Sequence, residues 1–454
     1  MVKWDPKIIR IERKPKAASK IHAAPPIVLS LAFLTLIFIG TLILKLPIST
    51  ETPISWMDSL FTATSAVTVT GLVVADTGAD FTLFGQIVIT LLIQLGGLGL
   101  MTFAVVTLIA LGGKIGFFQQ TVAKEAFNQT DTHSLIKTAK AVLLFALFVE
   151  TIGIIILTIH WLPDLGWKNS IWHAIFYTIS AFNNAGFALS SDSLMPYVSD
   201  PIVNFTITLL FITGGLGFSV WLEIWQKKRW KALSPYSKLM LAGTLTLNII
   251  ALIAIYLIEF NNPKTLGLLS TEDQWLASWF QAVTPRTAGF NTLDIASLED
   301  ASTTVMLLLM FIGGGSLSTA SGIKVVTFFV LFLATYSFLR RDNNVESFGR
   351  TIPPETVSKA LALAIVYIGV TWFGIFLLLL TENSKFLDIV FEVVSAFGTV
   401  GLSRGLTSEL SEIGKVIIIV LMFIGRLGPL TLAYFLASPR SKVTRVPESR
   451  FAIG

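Results

Sequence analysis

The stretch Thr64-Ser65-Ala66-Val67-Thr68-Val69-Thr70-Gly71-Leu72 decides how this chain is read, because it returns three times. Its echoes are Ser180-Ala181-Phe182-Asn183-Asn184-Ala185-Gly186-Phe187, Ala282-Val283-Thr284-Pro285-Arg286-Thr287-Ala288-Gly289-Phe290 and Ser395-Ala396-Phe397-Gly398-Thr399-Val400-Gly401-Leu402. The turn glycines Gly71, Gly186, Gly289 and Gly401 lie 115, 103 and 112 residues apart. Each turn follows a short amphipathic stretch and precedes a long apolar one. A repeat of about 110 residues is too long for a solenoid unit and points to duplicated modules.

The flanking composition says where those modules live. Of 454 residues, 53% are hydrophobic and 13% charged, with a mean hydropathy of +0.75. Soluble domains carry about 25% charged residues, so this is the composition of a polytopic membrane protein. Ile27 to Leu46 is long enough to cross a hydrocarbon core of about 30 Å. A basic tail precedes it (Lys3, Lys7, Arg10, Arg13, Lys14, Lys16, Lys20) and no small-residue cleavage site follows, so it reads as a first transmembrane helix rather than a removed signal peptide. The chain has no cysteine, which excludes disulfides, thiolate metal sites and a cysteine nucleophile.

Long apolar candidates run over 27–46, 83–112, 136–162, 200–226, 236–259, 300–338 (interrupted), 355–381 and 413–437. Between the members of each pair lies a shorter segment ending at a glycine turn: 54–66, 170–182, 273–284 and 386–397. About 12 residues make about 18 Å of helix, too short to span; a re-entrant half-helix fits. A second landmark repeats in register 24 to 28 residues after each turn glycine: Gly96-Gly97, Gly214-Gly215, Gly313-Gly314-Gly315 and Gly425-Arg426-Leu427-Gly428. The expected fold is therefore an all-α polytopic membrane protein in which four tandem helix–pore helix–filter–helix repeats form a pseudo-tetrameric pore. Its parts are a cytoplasmic basic tail (1–26), repeat 1 (27–112), a cytoplasmic loop (113–135), repeat 2 (136–226), repeat 3 (227–338), repeat 4 (339–437) and a cytoplasmic tail (438–454).

Each module crosses twice, so its two ends share a side. With both termini inside, 24 Lys and Arg residues fall in the inner segments and 7 in the outer ones, leaving Lys324 and Arg426 within the membrane. That satisfies the positive-inside rule. The acids divide 9 inside and 18 outside, with Glu150 in a span, and the acidic outer face would concentrate cations.

The four turns suit ion conduction. A cation entering a bilayer needs its hydration shell replaced by oxygens, and rings of backbone carbonyls do this. Glycine reaches the left-handed backbone region cheaply, a re-entrant helix aims its negative C-terminal end at the site, and irregular backbone at membrane depth is tolerated where it lines a cavity. The plain alternative is that each glycine only turns a loop or lets helices pack closely; four equivalent turns argue against it.

These motifs resemble the Trk/Ktr/HKT superfamily of potassium transporters, most closely its Ktr-type membrane subunits. The resemblance covers nearly the whole chain through Thr-Val-Thr-Gly-Leu, Asn-Asn-Ala-Gly-Phe, Arg-Thr-Ala-Gly-Phe-Asn and Gly-Thr-Val-Gly-Leu-Ser. It implies potassium uptake through a pore in the cell membrane, stimulated by sodium, with one glycine per filter turn. Carried over as filter positions are Val67, Thr68, Val69, Thr70 and Gly71; Asn183, Asn184, Ala185 and Gly186; Arg286, Thr287, Ala288 and Gly289; and Gly398, Thr399, Val400 and Gly401. It also implies a homodimer and a cytosolic ring of nucleotide-binding regulatory subunits. Candidate contacts for that ring are the tail 1–20, the loops 113–135, 227–238 and 339–354, and the end 438–454; the alternative is that their basic residues set orientation and meet anionic lipid.

The interrupted span holds the run 313–324, whose members Gly313, Gly314, Gly315, Ser316, Ser318, Thr319, Ala320, Ser321 and Gly322 are all small, and which ends at Lys324. Four glycines weaken any helix, so the run reads as a flexible gate below the filter, similar to the intramembrane loop of the family; a passive kink is the alternative. Arg426 lies mid-helix, where a charge costs about 2.5–3.5 kcal/mol on insertion scales. It reads either as a cationic constriction of the pore or as an anchor bonded to loop carbonyls or to Glu150. Arg286 is expected behind the filter against an acid, and Lys324 near a carboxylate or snorkelling to the cytoplasm.

Other classes of function fare worse. A proton- or sodium-coupled secondary cation symporter, the alternative function, needs ionisable relays within the spans, and Glu150 is the sole midspan acid by this threading. The four histidines do not cluster and no hydrolase motif occurs, so enzymatic activity is not expected. The sequence carries no phosphate-binding loop or dinucleotide fingerprint, so the chain itself is expected to bind no nucleotide, and no nucleic acid is expected among its partners.

Overall fold

The computed structural model of the chain describes residues 25–110, 132–316 and 318–428. The expected contact surfaces 1–20 and 438–454, most of the loop 113–135, and Leu317 lie outside these residues.

Repeat 1 comprises α1 (Pro25–Leu44), α2 (Trp56–Val67) and α3 (Leu83–Ala110). Repeat 2 has α4 (Thr132–Phe182), α5 (Pro201–Leu216) and α6 (Phe218–Lys227). Within α4, Gly166 breaks the helix at φ 69° and ψ 168°, so residues 167–182 form the short helix of that repeat. Repeat 3 runs through α7 (Pro235–Glu259), α8 (Thr271–Val283), α9 (Asp300–Phe311) and α10 (Val325–Arg340). A short antiparallel hairpin, Glu346–Ser347 against Arg350–Thr351, leads to repeat 4: α11 (Pro354–Thr381), α12 (Phe386–Gly398) and α13 (Glu412–Leu427).

The short helices start where the sequence caps them. Ser55 Oγ accepts from the Asp58 amide at 3.0 Å and donates to the Asp58 carboxylate at 2.7 Å; Ser270 and Asp273 repeat the pattern at 3.2 and 2.7 Å. Such caps satisfy amides that a helix start leaves open, and the acid suits the positive helix end. The short helices are buried over most of their length, as at Phe61 to Val67 and Ile389 to Gly398 apart from Val390, while Phe38, Phe148, Ile159, Leu209, Leu257, Trp372, Phe373 and Leu380 stand exposed on the long helices. That outward apolar surface is what lipid as solvent requires. Among the described residues, α4 from Lys140, α7 and α11 are each long and apolar enough to cross a membrane, and α5 with α6 adds a fourth if the bent pair is one span.

The repeats close into a ring. Repeat 1 packs on repeat 2 through α3 and α4, repeat 2 on repeat 3 through α5 and α8, repeat 3 on repeat 4 through α9 and α12, and repeat 4 returns to repeat 1 through α13 and α2.

One expectation needs correcting. Only the span 300–338 was expected to be interrupted, yet the second long helix is also broken in repeats 1 and 2, and in repeat 4 the described helix stops at the same register. The chain turns at Gly99 (φ 46°), bends by 92° at Gly217, leaves helix over 312–324, and ends α13 at Gly428 (φ 85°). The cause is a motif whose last member was read only in repeat 4, as Gly428: Gly-Gly-Leu-Gly at 96–99 and 214–217, and Gly-Arg-Leu-Gly at 425–428. Its first glycine lets the helix approach the end of a short helix: a Cβ there would lie 1.9 Å from the Val67 carbonyl oxygen at Gly96, and 2.0 Å from those of Phe182 and Phe397 at Gly214 and Gly425. Its last glycine takes the positive φ that breaks the helix.

Candidate functional site

The four turns meet in cyclic order. A Cβ on Gly71 would lie 2.3 Å from the carbonyl oxygen of Ala185; on Gly186, 3.0 Å from that of Ala288; on Gly289, 2.5 Å from that of Val400; and on Gly401, 2.1 Å from that of Thr70. Each glycine thus leaves room for the carbonyl preceding the next glycine, and the fourth contact closes on the first turn. All four have positive φ (93°, 69°, 81° and 91°).

A second left-handed residue stands two positions before each glycine: Val69 (φ 49°), Asn184 (58°), Thr287 (66°) and Thr399 (49°). For β-branched residues this conformation is a genuine outlier, and such strain persists only where the surroundings enforce it, as at functional sites. Sequence reasoning places these residues among the filter positions but not in this conformation, because composition gives no sign that Val or Thr will turn left-handed. Helix-end bonds hold them there. The amides of Thr70, Ala185 and Val400 each donate, at 2.8 Å, to a carbonyl five residues back, those of Ser65, Ser180 and Ser395. The side chains of Ser65 and Ser395 also accept from the amides of Gly71 and Gly401 at 3.1 and 3.2 Å. In the third turn the equivalent amide, that of Ala288, bonds the Thr284 carbonyl four residues back at 3.0 Å.

The run 313–324 packs beside this ring. The Gly313 amide donates to the Ile323 carbonyl at 2.8 Å, the Gly315 amide to that of Gly215 at 2.8 Å, and the Thr319 amide to that of Gly214 at 3.2 Å. Thr319 Oγ1 donates to Asn184 Oδ1 at 2.7 Å, and the Tyr236 hydroxyl accepts from the Ser316 amide at 3.1 Å. Arg426 spans the loop and repeat 1: Nη1 donates to the Thr319 carbonyl at 2.5 Å, and Nη2 to the carbonyls of Gly96 and Gly97 at 2.6 and 3.0 Å. Beside the loop opens a cavity of about 490 Å³ whose walls include Ser318, Ser321, Lys324, Lys359 and Arg426.

Comparison with known proteins fits this geometry. The family model for TrkH, described as a cation transport protein, matches residues 15–445. The chain belongs to the TrkH family of cation transport proteins. It is 49% identical to the Ktr system potassium uptake protein B of Bacillus subtilis, over 97% of this chain and 99% of that one. It is 46% identical to the protein of the same description from Vibrio alginolyticus, over 96% of each chain. The potassium/sodium uptake protein NtpJ of Enterococcus hirae is 37% identical over 95% and 97%. The crystal structure of the potassium transporter TrkH from Vibrio parahaemolyticus superposes with a TM-score of 0.74, 22% identity and coverage of 94% and 87%, so the fold is shared. These relatives are ion transporters.

Within this TrkH-family chain the charged candidates resolve differently from one another. Arg426 bonds loop carbonyls, and Glu150 is engaged elsewhere: both its oxygens accept from Gln94 Nε2, at 3.0 and 3.2 Å. The register of the motif supplies a signal that was missed, since Arg426 occupies the position of Gly97 and Gly215. Arg286 does not meet an acid. It lies behind the third turn, donating to Asn248 Oδ1 at 2.8 Å and Thr244 Oγ1 at 3.3 Å on α7. Lys324 donates to the Ala320 carbonyl at 2.8 Å rather than to a carboxylate. Two acids counted as outer are buried: Glu392 accepts from Ser403 and Thr407, and Glu259 accepts from Asn262 and Thr265 at 2.7 and 2.6 Å and from the Glu299 amide at 2.9 Å.

At the start of the short helix of repeat 1, Asp58 is bonded by Lys415 of repeat 4 at 2.8 Å. Burial pushes the Asp58 carboxyl up, but the bonds from Lys415 and Ser55 and the Lys415 charge outweigh it and hold the group below its ordinary value. Arg404 joins Asp388 at 2.7 Å and Thr303 at 2.7 Å, tying repeat 4 to repeat 3.

Proposed function

We propose that the chain takes up potassium across the cell membrane through a pore whose selectivity site is the ring of four turns, with both termini on the cytoplasmic side. The observation that carries this reading is the cyclic closure of the turns, in which the carbonyls of Thr70, Ala185, Ala288 and Val400 fill the places that side chains on the next glycines would occupy. Desolvated potassium needs such oxygens, and the named potassium-uptake relatives support that ion as cargo.

The loop 313–324 is the gate. Its bonds to Gly214, Gly215, Asn184 and Arg426 describe a closed arrangement that opens as those bonds are given up. Sodium stimulates uptake, a proposal supported by the likeness to a potassium/sodium uptake protein. Control by a cytosolic nucleotide-binding ring, and assembly as a homodimer, belong to the same reading; the word "system" in the description of the relatives supports a partner. Symport through a relay of ionisable groups is not favoured: Glu392 and Glu259 are saturated by local donors.

The test is rubidium or potassium influx into liposomes holding the purified chain, with and without sodium and with competing cations. Saturable, potassium-preferring influx whose preference Gly71→Ser lowers is the expected result. Folded protein that stays silent even with the regulatory ring added would overturn the reading.

A further inference from the structure

The second turn differs from the other three in how its side chains are held. At the left-handed position, Val69 is apolar, and the hydroxyls of Thr287 and Thr399 have no hydrogen-bond partner among the described residues. Asn184 alone reaches the gate loop, accepting from Thr319 Oγ1 at 2.7 Å. Room for that contact comes from Gly214, where a Cβ would lie 2.7 Å from Thr319 Oγ1 and 3.0 Å from Asn184 Oδ1. The preceding residue is held from another direction: Asn183 Nδ2 donates to Gln94 Oε1 at 2.6 Å, and Gln94 Nε2 donates to Glu150. With Gln94 Nε2 turned to both oxygens of Glu150, Gln94 Oε1 is left facing Asn183. Gly97 makes the space that Asn183 occupies, since a Cβ there would lie 2.1 Å from Asn183 Oδ1.

We propose that this second turn couples the gate loop to ion selection. Thr319 and Gln94 act as positioning residues: Thr319 holds Asn184, and Gln94, oriented by Glu150, holds Asn183, so that the Ala185 carbonyl keeps its place beside Gly71. The inference rests on the filter reading of the four turns. Its physical content is that a strained backbone needs enforcement, and one enforcing bond comes from the element that moves. When the loop withdraws, Asn184 loses this partner while Gln94 still holds Asn183, so the ring stays selective but discriminates less sharply than with the loop in place. Arg426 holds Thr319 through the main-chain carbonyl, so a side-chain substitution at Thr319 cuts the filter contact while leaving the loop's anchor in place.

The experiment compares wild type, Thr319→Val, Thr319→Ser, Asn184→Gly and the Thr319→Val/Asn184→Gly double variant, all as full-length protein. It measures equilibrium binding of radioactive rubidium with displacement by sodium, and influx in liposomes. Thr319→Val keeps the shape and removes the donor; Asn184→Gly keeps the left-handed backbone accessible and removes the acceptor. The expected result is a two- to tenfold fall in rubidium preference for Thr319→Val, about what one hydrogen bond commands, with Thr319→Ser restored and the double variant no worse than the worse single one. Gly71→Ser serves as the control for the filter reading. If it lowers preference while Thr319→Val does not, the coupling is overturned and the filter stands; if Thr319→Val raises influx without altering preference, the loop only gates and the coupling is likewise overturned. If Gly71→Ser is silent too, the filter reading itself fails.

Discussion

Arg426 Nη1 donates to the main-chain carbonyl of Thr319 at 2.5 Å, across 107 residues of sequence. The same guanidinium reaches Gly96 and Gly97 on repeat 1, so one side chain pins the loop of repeat 3 from repeat 4 while bracing repeat 1.

Removing that pin should open the gate. A hydrogen bond to a charged group contributes about 1.5–3 kcal/mol, so Arg426→Gln is expected to raise rubidium influx about tenfold or more. Arg426→Lys separates two causes, because lysine keeps the charge but loses the planar fork. If the anchor matters, Arg426→Lys also raises influx; an influx at the wild-type level in Arg426→Lys alone would assign the effect to charge in the pore.

Gly71→Ser and Gly401→Ser should each lower potassium preference over sodium by about tenfold, a change of about 1.4 kcal/mol in relative affinity. The new Cβ atoms would fall 2.3 and 2.1 Å from the Ala185 and Thr70 oxygens, so the ring must deform. Competition between sodium and rubidium reads this directly, and unchanged preference in both variants would remove the filter assignment.

Deleting Gly314 to Ser318 takes out the loop amides that bond Gly215 and Tyr236. Influx is expected to rise and to depend less on any regulatory partner. A well-folded deletion that still needs its partner and still conducts slowly would contradict the gating role.

The pair Asp58–Lys415 gives a pH-dependent prediction. The Asp58 carboxyl is held below its ordinary value, so its contribution to stability is full above the unfolded carboxylate pKa of about 3.9 and is lost as pH falls through the lower folded value. Asp58→Asn should melt about 1–3 °C below wild type at pH 7, a size in keeping with a part-exposed ion pair. The difference should shrink toward pH 3. A gap that stayed constant from pH 7 to pH 3 would mean the pair is not the source.

Much of this architecture was legible because the repeats carry it twice over, in the turn glycines and in the helix glycines 24 to 28 residues later. The short helices 54–66, 170–182, 273–284 and 386–397 emerged within a few residues of their folded bounds, since amphipathicity is a local signal. The broken second helices were less legible: apolar composition runs straight through Gly99 and Gly217, and only a packing constraint from Val67 and Phe182 explains why the chain must turn there. Long-range partners were the hardest. Nothing local pairs Arg286 with Asn248 or Gln94 with Glu150, because both pairings depend on which helices the ring brings side by side.

The closure of the ring has a consequence for how the protein is made. Gly401 seats on Thr70, Lys415 on Asp58 and Arg426 on Gly96, so the first repeat waits for the last. A chain emerging from the ribosome in order holds three turns around an open slot until its final fifty or so described residues arrive. During that interval the Thr70 carbonyl and Asp58 lack the neighbours that the last repeat supplies, and any backbone group left unsatisfied within the bilayer costs several kcal/mol. The nascent repeats therefore need shelter at the insertion machinery, and truncation before Gly401 should yield a product that membrane proteases clear rather than a leaky pore.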